Sequence, residues 1–267
     1  MSALAYTLTD SATMLRRNLR RLVRYPSMTV LLVAMPVVFL LLFVYVFGGQ
    51  LGAGFAGGHG GGHRGRGAYL DYVLPGILLM TVAAAAQGTA IAVAMDMTGG
   101  IIDRFRTMAI ARAAVLTGHV IASVIQALIG LVIVLALALA LGFRSSAGPL
   151  DWLAAAGLLT LFAFALVWLS TALGLAAKTV ETASNTPMML TLLPFLGSGF
   201  VPTATMPAGL RQFAEYQPFT PVTEAVRGLL TGTGAGTNAL PAIAWSVGIA
   251  LASYLWARRL YSRRRAH

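Results

Sequence analysis

The sequence predicts an all-α polytopic membrane protein: six transmembrane helices, an N-terminal amphipathic elbow helix and external re-entrant helices between spans five and six. Three observations carry this reading. Hydrophobic residues make up 58% of the chain and charged residues only 10%, whereas a soluble domain carries about 25% charge. The few charges leave six long charge-free runs, each near or above the roughly 20 residues that cross a bilayer as a helix. Finally, the basic residues fall unevenly between alternate connections, which orients the whole as a single 1–267 transmembrane domain.

The first element is the segment 10–25. Leu15, Leu19, Leu22 and Val23 fall on one side of a helical wheel and Arg16, Arg17, Arg20, Arg21 and Arg24 on the other. Such a helix lies in the membrane interface with its apolar face in lipid. Asp10 or Ser11 can cap it and Pro26 breaks it. The first span follows at 28–47. Its apolar core exceeds that of a signal peptide and no A-x-A-like cleavage site follows, so the expectation is a retained span. Residues 48–67 hold eleven glycines in twenty and read as a flexible external loop. His59 and His63 in it are too few and too loosely framed for a metal site.

The second span is expected at 72–95, between Asp71 and Asp96. Gly99 and Gly100 end it, and 99–112 reads as a cytoplasmic segment in which Ile101, Ile102, Phe105 and Met108 form a short apolar stripe flanked by Asp103, Arg104 and Arg106. The third and fourth spans are expected at 114–142 and 152–177, and the fifth at 184–200, with Pro187 near its start and Pro194 as a kink. Between 205 and 230, two short amphipathic helices are expected. Thr205 would cap the first, Pro218 would end it, and Thr220 and Pro221 would open the second. Leu210, Phe213, Val222, Val226 and Leu229 are too apolar for a water-facing loop, so both helices should dip back into the outer leaflet. The sixth span is expected at 240–257, with Pro241 in its first turn.

Fourteen of the 19 Lys and Arg residues lie on one side: Arg16, Arg17, Arg20, Arg21, Arg24, Arg104, Arg106, Arg112, Lys178, Arg258, Arg259, Arg263, Arg264 and Arg265. Arg64, Arg66, Arg144, Arg211 and Arg227 fall on the other. The positive-inside rule then puts both termini in the cytoplasm of a cell membrane. It also assigns much of the +11 net charge to the anionic inner leaflet rather than to nucleic acid.

Several chemistries are missing. Cysteine is absent, which excludes disulfides, thiolate metal sites and a thiol nucleophile. The sole lysine, Lys178, follows Ala177 rather than the glycine of a phosphate-cradling loop, so no ATPase is expected in this chain. HExxH and G-x-S-x-G are absent too. No carboxylate falls in the centre of a predicted span, which argues against a proton relay. His119 and Ser123 stand at helical spacing, but at the cytoplasmic end of the third span, a poor place for an intramembrane hydrolase. No catalytic or metal residue is expected, and no cofactor in this chain.

The polar groups within the spans are mild: Gln87, Thr89, Gln126, Ser170, Thr171 and Thr191. Helix-to-helix hydrogen bonding accounts for most such groups. A path lined by some of them, with adaptable Met80, Met188 and Met189 and with Phe195, would suit a hydrophobic or amphipathic cargo.

Two stretches carry a family resemblance. GGIIDRFRTMAIARAAVLTG (99–118) resembles the cytoplasmic coupling segment of type-2 ABC exporter permeases of the daunorubicin-resistance type. GFVPTATMPAGLRQFAEYQPFTPVTEAVRGLL (199–230) resembles the external re-entrant region of the same branch. The chain departs from it in the Gly/His-rich first external loop and in Met108–Ala109–Ile110, where related proteins often carry a leucine–proline pair. The resemblance implies a permease that works with two copies of a separate ABC ATPase, which holds ATP and Mg, and with a second permease copy as a homodimer. It implies that Ile101, Ile102, Asp103, Arg104, Phe105 and Arg106 dock on that ATPase. The implied cargo is a drug, antibiotic or lipid leaving the cell. A permease for a polysaccharide or other polymer, and a non-transporting membrane scaffold or immunity protein, are the alternatives that the residues leave open.

Overall fold

A computed structural model of the chain describes residues 26–55, 63–99 and 112–263, together with Arg16, Arg20 and Arg24. Nine α-helices are found among the described residues, and no strand. They are α1 (Pro26–Leu41), α2 (Gly48–Phe55), α3 (His63–Thr98), α4 (Arg112–Ala140), α5 (Pro149–Ala176), α6 (Val180–Leu192), α7 (Ala208–Tyr216), α8 (Phe219–Leu230) and α9 (Ala239–Arg263). Five stretches are long and apolar enough to cross a membrane: Leu32–Gln50, Gly65–Thr98, Leu116–Ala140, Pro149–Ala176 and Gly236–Tyr261.

α3 is the axis of the bundle. Its 36 residues span about 54 Å at 1.5 Å per residue, well beyond the hydrocarbon thickness of about 30 Å, so both ends reach the headgroup layers. In its most apolar stretch 78% of the residues are buried, against 17% in the stretch that includes α9. α1, α2, α4, α5, α6 and α8 all pack on α3, while α9 packs mainly on α5. The outer faces of α4 (Ile129, Val132, Ile133, Leu139) and α9 (Leu240, Ile243, Val247, Leu251) are exposed and apolar, as suits a surface solvated by lipid. Phe162 of α5 meets Phe219 of α8 edge to face at 5.0 Å, and both rings are buried in the common core.

Two expectations need correction on the first connection. Residues 48–67 are not one flexible loop. Gly48–Phe55 continues the first span as helix after a π-helical turn at Leu42–Phe47, and α3 already begins at His63, so that Asp71 lies inside the helix instead of flanking it. The glycines act here as a close-packing device. A Cβ on Gly52 would stand 2.0 Å from the carbonyl oxygen of Gly65, so only glycine lets α2 and the first turn of α3 approach so closely. Residues 56–62, which include His59, lie outside the described residues.

The fifth predicted span also differs. α6 starts at Val180, because the Thr179 hydroxyl accepts the Thr182 amide at 3.2 Å and caps the helix. It ends at Leu192, because Pro194 cannot continue an α-helix; a 3₁₀ turn, Leu193–Leu196, follows. Thr205 does not cap α7. It closes a 3₁₀ turn, with its hydroxyl donating to the Pro202 carbonyl at 2.8 Å, and Pro207 precedes the helix at Ala208. α8 starts at Phe219, one residue ahead of Thr220. α9 runs on to Arg263, six residues past the predicted end, and so carries Arg258 and Arg259 on helix.

Candidate functional site

The ionisable groups of α3 gather toward its two ends. At the first end, Pro75 lies inside the helix and removes one intrahelical hydrogen bond. One turn before it, the Tyr72 carbonyl accepts from Nε of Arg227 at 3.2 Å and from Nη2 at 3.1 Å. Nη2 also donates to the Ser198 carbonyl at 2.7 Å, Nη1 to Glu224 at 2.6 Å, and the guanidinium lies 3.9 Å from the centre of the Tyr72 ring. The Tyr72 hydroxyl donates to the same Ser198 carbonyl at 3.1 Å. One arginine of α8 thus ties α3 to the turn that follows α6. The planar fork suits this task, since it serves two carbonyls and an aromatic face at once.

The same turn is held in other ways. The Ser198 amide donates to the Thr220 hydroxyl at 3.3 Å, and the Gln217 side-chain amide donates to the Leu193 carbonyl at 2.9 Å. Gly76 of α3 faces Gly199 so closely that a Cβ would come within 2.5 Å of the Gly199 oxygen. The Ser145 hydroxyl donates to the Leu230 carbonyl at 2.6 Å, which brings the α4–α5 connection to the same end. The sequence offered little sign of this lock. Arg227 was legible as a lone cation in an apolar helix, but its partners are backbone carbonyls, which carry no residue signature.

At the other end, Asp96 of α3 and His119 of α4 are buried and paired, Nε2 to Oδ2, at 3.0 Å. His119 therefore turns to a carboxylate on the neighbouring helix. At the start of α6, the exposed Glu181 carboxyl is held below the usual carboxylate range, first by its own backbone amide and then by the Thr179 hydroxyl.

The residues of the expected cargo path do not share one environment. Met80 is buried within the bundle. The Gln87 side-chain amide donates to the Ser184 carbonyl of α6 at 3.1 Å and so joins α3 to α6. Met188 and Met189 are exposed on α6, 52% and 67% accessible, alongside exposed Leu192. The Thr191 hydroxyl is buried without a hydrogen-bond partner. Phe195 stacks on Phe200 at 4.4 Å and meets Phe39 edge to face at 5.4 Å, inside an aromatic cluster that also includes Phe43 and Tyr69. Ile101, Ile102, Asp103, Arg104, Phe105 and Arg106 lie outside the described residues; their roots, Thr98 at the end of α3 and Arg112 at the start of α4, lie within them. Most of the elbow segment also lies outside, though Arg16, Arg20 and Arg24 are helical, exposed and spaced by four residues on one face.

Residues 10–231 match the family model of the ABC-2 type transporter. The chain is 30% identical over 266 residues to the daunorubicin resistance ABC transporter permease protein DrrB1 of Streptomyces coeruleorubidus, covering 99% of this chain and 90% of that protein. With apolar helices of spanning length around a buried axis, and with similarity along nearly its whole length, the chain belongs to the ABC-2 type transporter family as a multi-pass permease subunit.

Proposed function

We propose that this permease forms the membrane path of an ATP-driven exporter for a hydrophobic or amphipathic compound, a drug, antibiotic or lipid. The observation that carries the reading is the placement of charge. Among the described residues of the bundle, ionisable groups gather at the two ends of α3, and the middle presents methionine, glutamine, threonine and small residues. A path of that kind has nothing to neutralise a charged solute, and the 30% identical relative is a daunorubicin resistance ABC transporter permease.

The chain crosses the membrane six times on this reading. α6 alone has 13 residues, but with its 3₁₀ extension it reaches about 27 Å, close to the hydrocarbon thickness. The contacts support the crossing: Gln87 meets Ser184 at the early part of α6, whereas Tyr72, fifteen residues earlier in α3, meets Ser198 just after it. The two segments therefore run antiparallel. Both termini are cytoplasmic, the Arg227 end is external, and α7 and α8 are the re-entrant pair, α8 buried and α7 at the surface. The segment 10–25 is the interfacial elbow.

ATP and Mg belong to a separate ABC ATPase, present in two copies, which docks on Ile101–Arg106. A second copy of this chain completes the path, with the exposed Met188, Met189 and Leu192 face of α6, and Met80, Gln87, Thr191 and Phe195 behind it, turned toward cargo. Co-purification with the ATPase tests the docking. Phe105→Ala should lower recovery of the ATPase or uncouple hydrolysis from export while insertion stays intact, since truncating a buried aromatic anchor costs about 2 kcal/mol or more. If Phe105→Ala and Arg104→Ala both assemble and export like the parent, the docking site lies elsewhere.

A further inference from the structure

The Asp96 carboxylate stands against the local electrostatics of its helix, and it meets His119 of the next helix. Asp96 lies in the last turn of α3, where the carbonyl end of the helix dipole repels an anion, and that turn carries no basic residue. His119 lies two turns into α4, on the helix that follows the segment. Both side chains are buried, so neither gains hydration in return. The two side chains meet from helix to helix at 3.0 Å.

Its position gives it a task. Asp96 and His119 are 23 residues apart and bracket the whole cytoplasmic segment between α3 and α4. The neighbours that pack there, Val93, Ala94, Leu116 and Val120, are buried and apolar. Apolar contact is non-directional and lets helices slide or rotate against each other. A charge-assisted hydrogen bond fixes register and rotation. α3 is also the helix that, at its far end, carries the Arg227 lock.

We propose that Asp96 and His119 are positioning residues, a clamp at the base of the coupling segment. The clamp makes the two roots of that segment move as one body, so that a push from the ATPase on Ile101–Arg106 reaches α3 instead of being lost as relative sliding of α3 and α4. This rests on the docking reading above, and two measurements keep the two separable.

The first uses the full-length permease alone in detergent, with limited trypsin digestion at Arg104, Arg106 and Arg112, and needs neither cargo nor ATPase. Opening-limited cleavage follows the population of the open form. Asp96→Asn and His119→Gln should each speed cleavage in this segment by about tenfold. The double variant should be no faster than the worse single variant, because one interaction is lost in all three. His119→Arg, which places a permanent donor opposite Asp96, should return the rate to within about twofold of the parent. Single-variant rates within twofold of the parent, or additive effects in the double variant, overturn the clamp.

The second measurement uses the permease and its ATPase in inverted vesicles, with daunorubicin as probe cargo. Asp96→Asn should lower the daunorubicin moved per ATP by about fivefold or more, the low end for coupling between distant sites, while ATPase recovery is unchanged. His119→Arg should again restore it, an outcome that a purely structural defect would not give. An unchanged transport ratio in Asp96→Asn, with accelerated cleavage, overturns the transmission role and leaves a structural pair. If Phe105→Ala and Arg104→Ala are both silent, the docking reading fails while the digestion result still decides the clamp.

Discussion

Arg227→Met removes the donors of the lock at the Tyr72 end of α3 while nearly keeping side-chain volume and helix propensity. The arginine side chain is 13% exposed and gives three hydrogen bonds to the carbonyls of Tyr72 and Ser198, at 3.2, 3.1 and 2.7 Å. The Glu224 contact adds little to the loss, since that carboxylate is a third exposed and can turn to water. Ser198 keeps the Tyr72 hydroxyl, so its carbonyl is not orphaned. Two carbonyl partners lost from a charged donor, at about 1.5–3 kcal/mol each, and the ring face, at about 0.5–2 kcal/mol, give about 3–5 kcal/mol after overlap. For a chain of this size, 1 kcal/mol moves the midpoint by about 2–4 °C, so Arg227→Met should melt about 6–20 °C below the parent. Tryptophan fluorescence of the detergent-purified protein during a thermal ramp reads this directly. Arg227→Lys should fall between the two, since an ammonium cannot serve both carbonyls and the ring together. A midpoint for Arg227→Met within about 2 °C of the parent would refute the lock as an energetic element.

Gly76→Ala would put a methyl 2.5 Å from the Gly199 oxygen, and the separation it forces should cost about 1–3 kcal/mol in the same melt; parent-like melting would mean that the two backbones part freely. A cysteine placed at Gly60 should react with an impermeant thiol reagent in intact cells, against a background free of native cysteine, and labelling only after permeabilisation would invert the topology. The purified chain alone should hydrolyse no ATP above background, because it lacks a phosphate-cradling loop; hydrolysis that follows the chain through successive purification steps would contradict this.

The spans were legible because lipid imposes one strong rule, an uninterrupted apolar run, and α4, α5 and α9 start and end within a few residues of where their flanking charges put them, apart from the longer tail of α9. The rule failed where charge did not mark a boundary. Asp71 sits inside α3, and Gly48–Phe55 is helix in spite of its glycines, because close approach to Gly65 rewards the lack of a side chain more than flexibility penalises it. Pro194 was a readable stop, and it divides the fifth segment into α-helix and 3₁₀ turn. The site was less legible. Asp96 and His119 were visible as span-end residues, but nothing in their separation of 23 announces a contact. Arg227 works through backbone oxygens of residues 29 and 155 positions away, and such partners leave no trace in side-chain identity.

The separation of 155 residues between Tyr72 and Arg227 has a consequence for how the protein is made. Ribosomes add about 5–20 residues per second, so α3 waits in the bilayer for roughly 8–30 seconds before the residue that fastens its Tyr72 end has been synthesised. During that time the turn at Pro75 lacks its arginine, and the faces that later meet α5, α6 and α8 are open to lipid or to the insertion machinery. A nascent chain that stops before α8 therefore contains most of the spans yet lacks the Arg227 lock, and should be recognised by membrane proteases as unfinished.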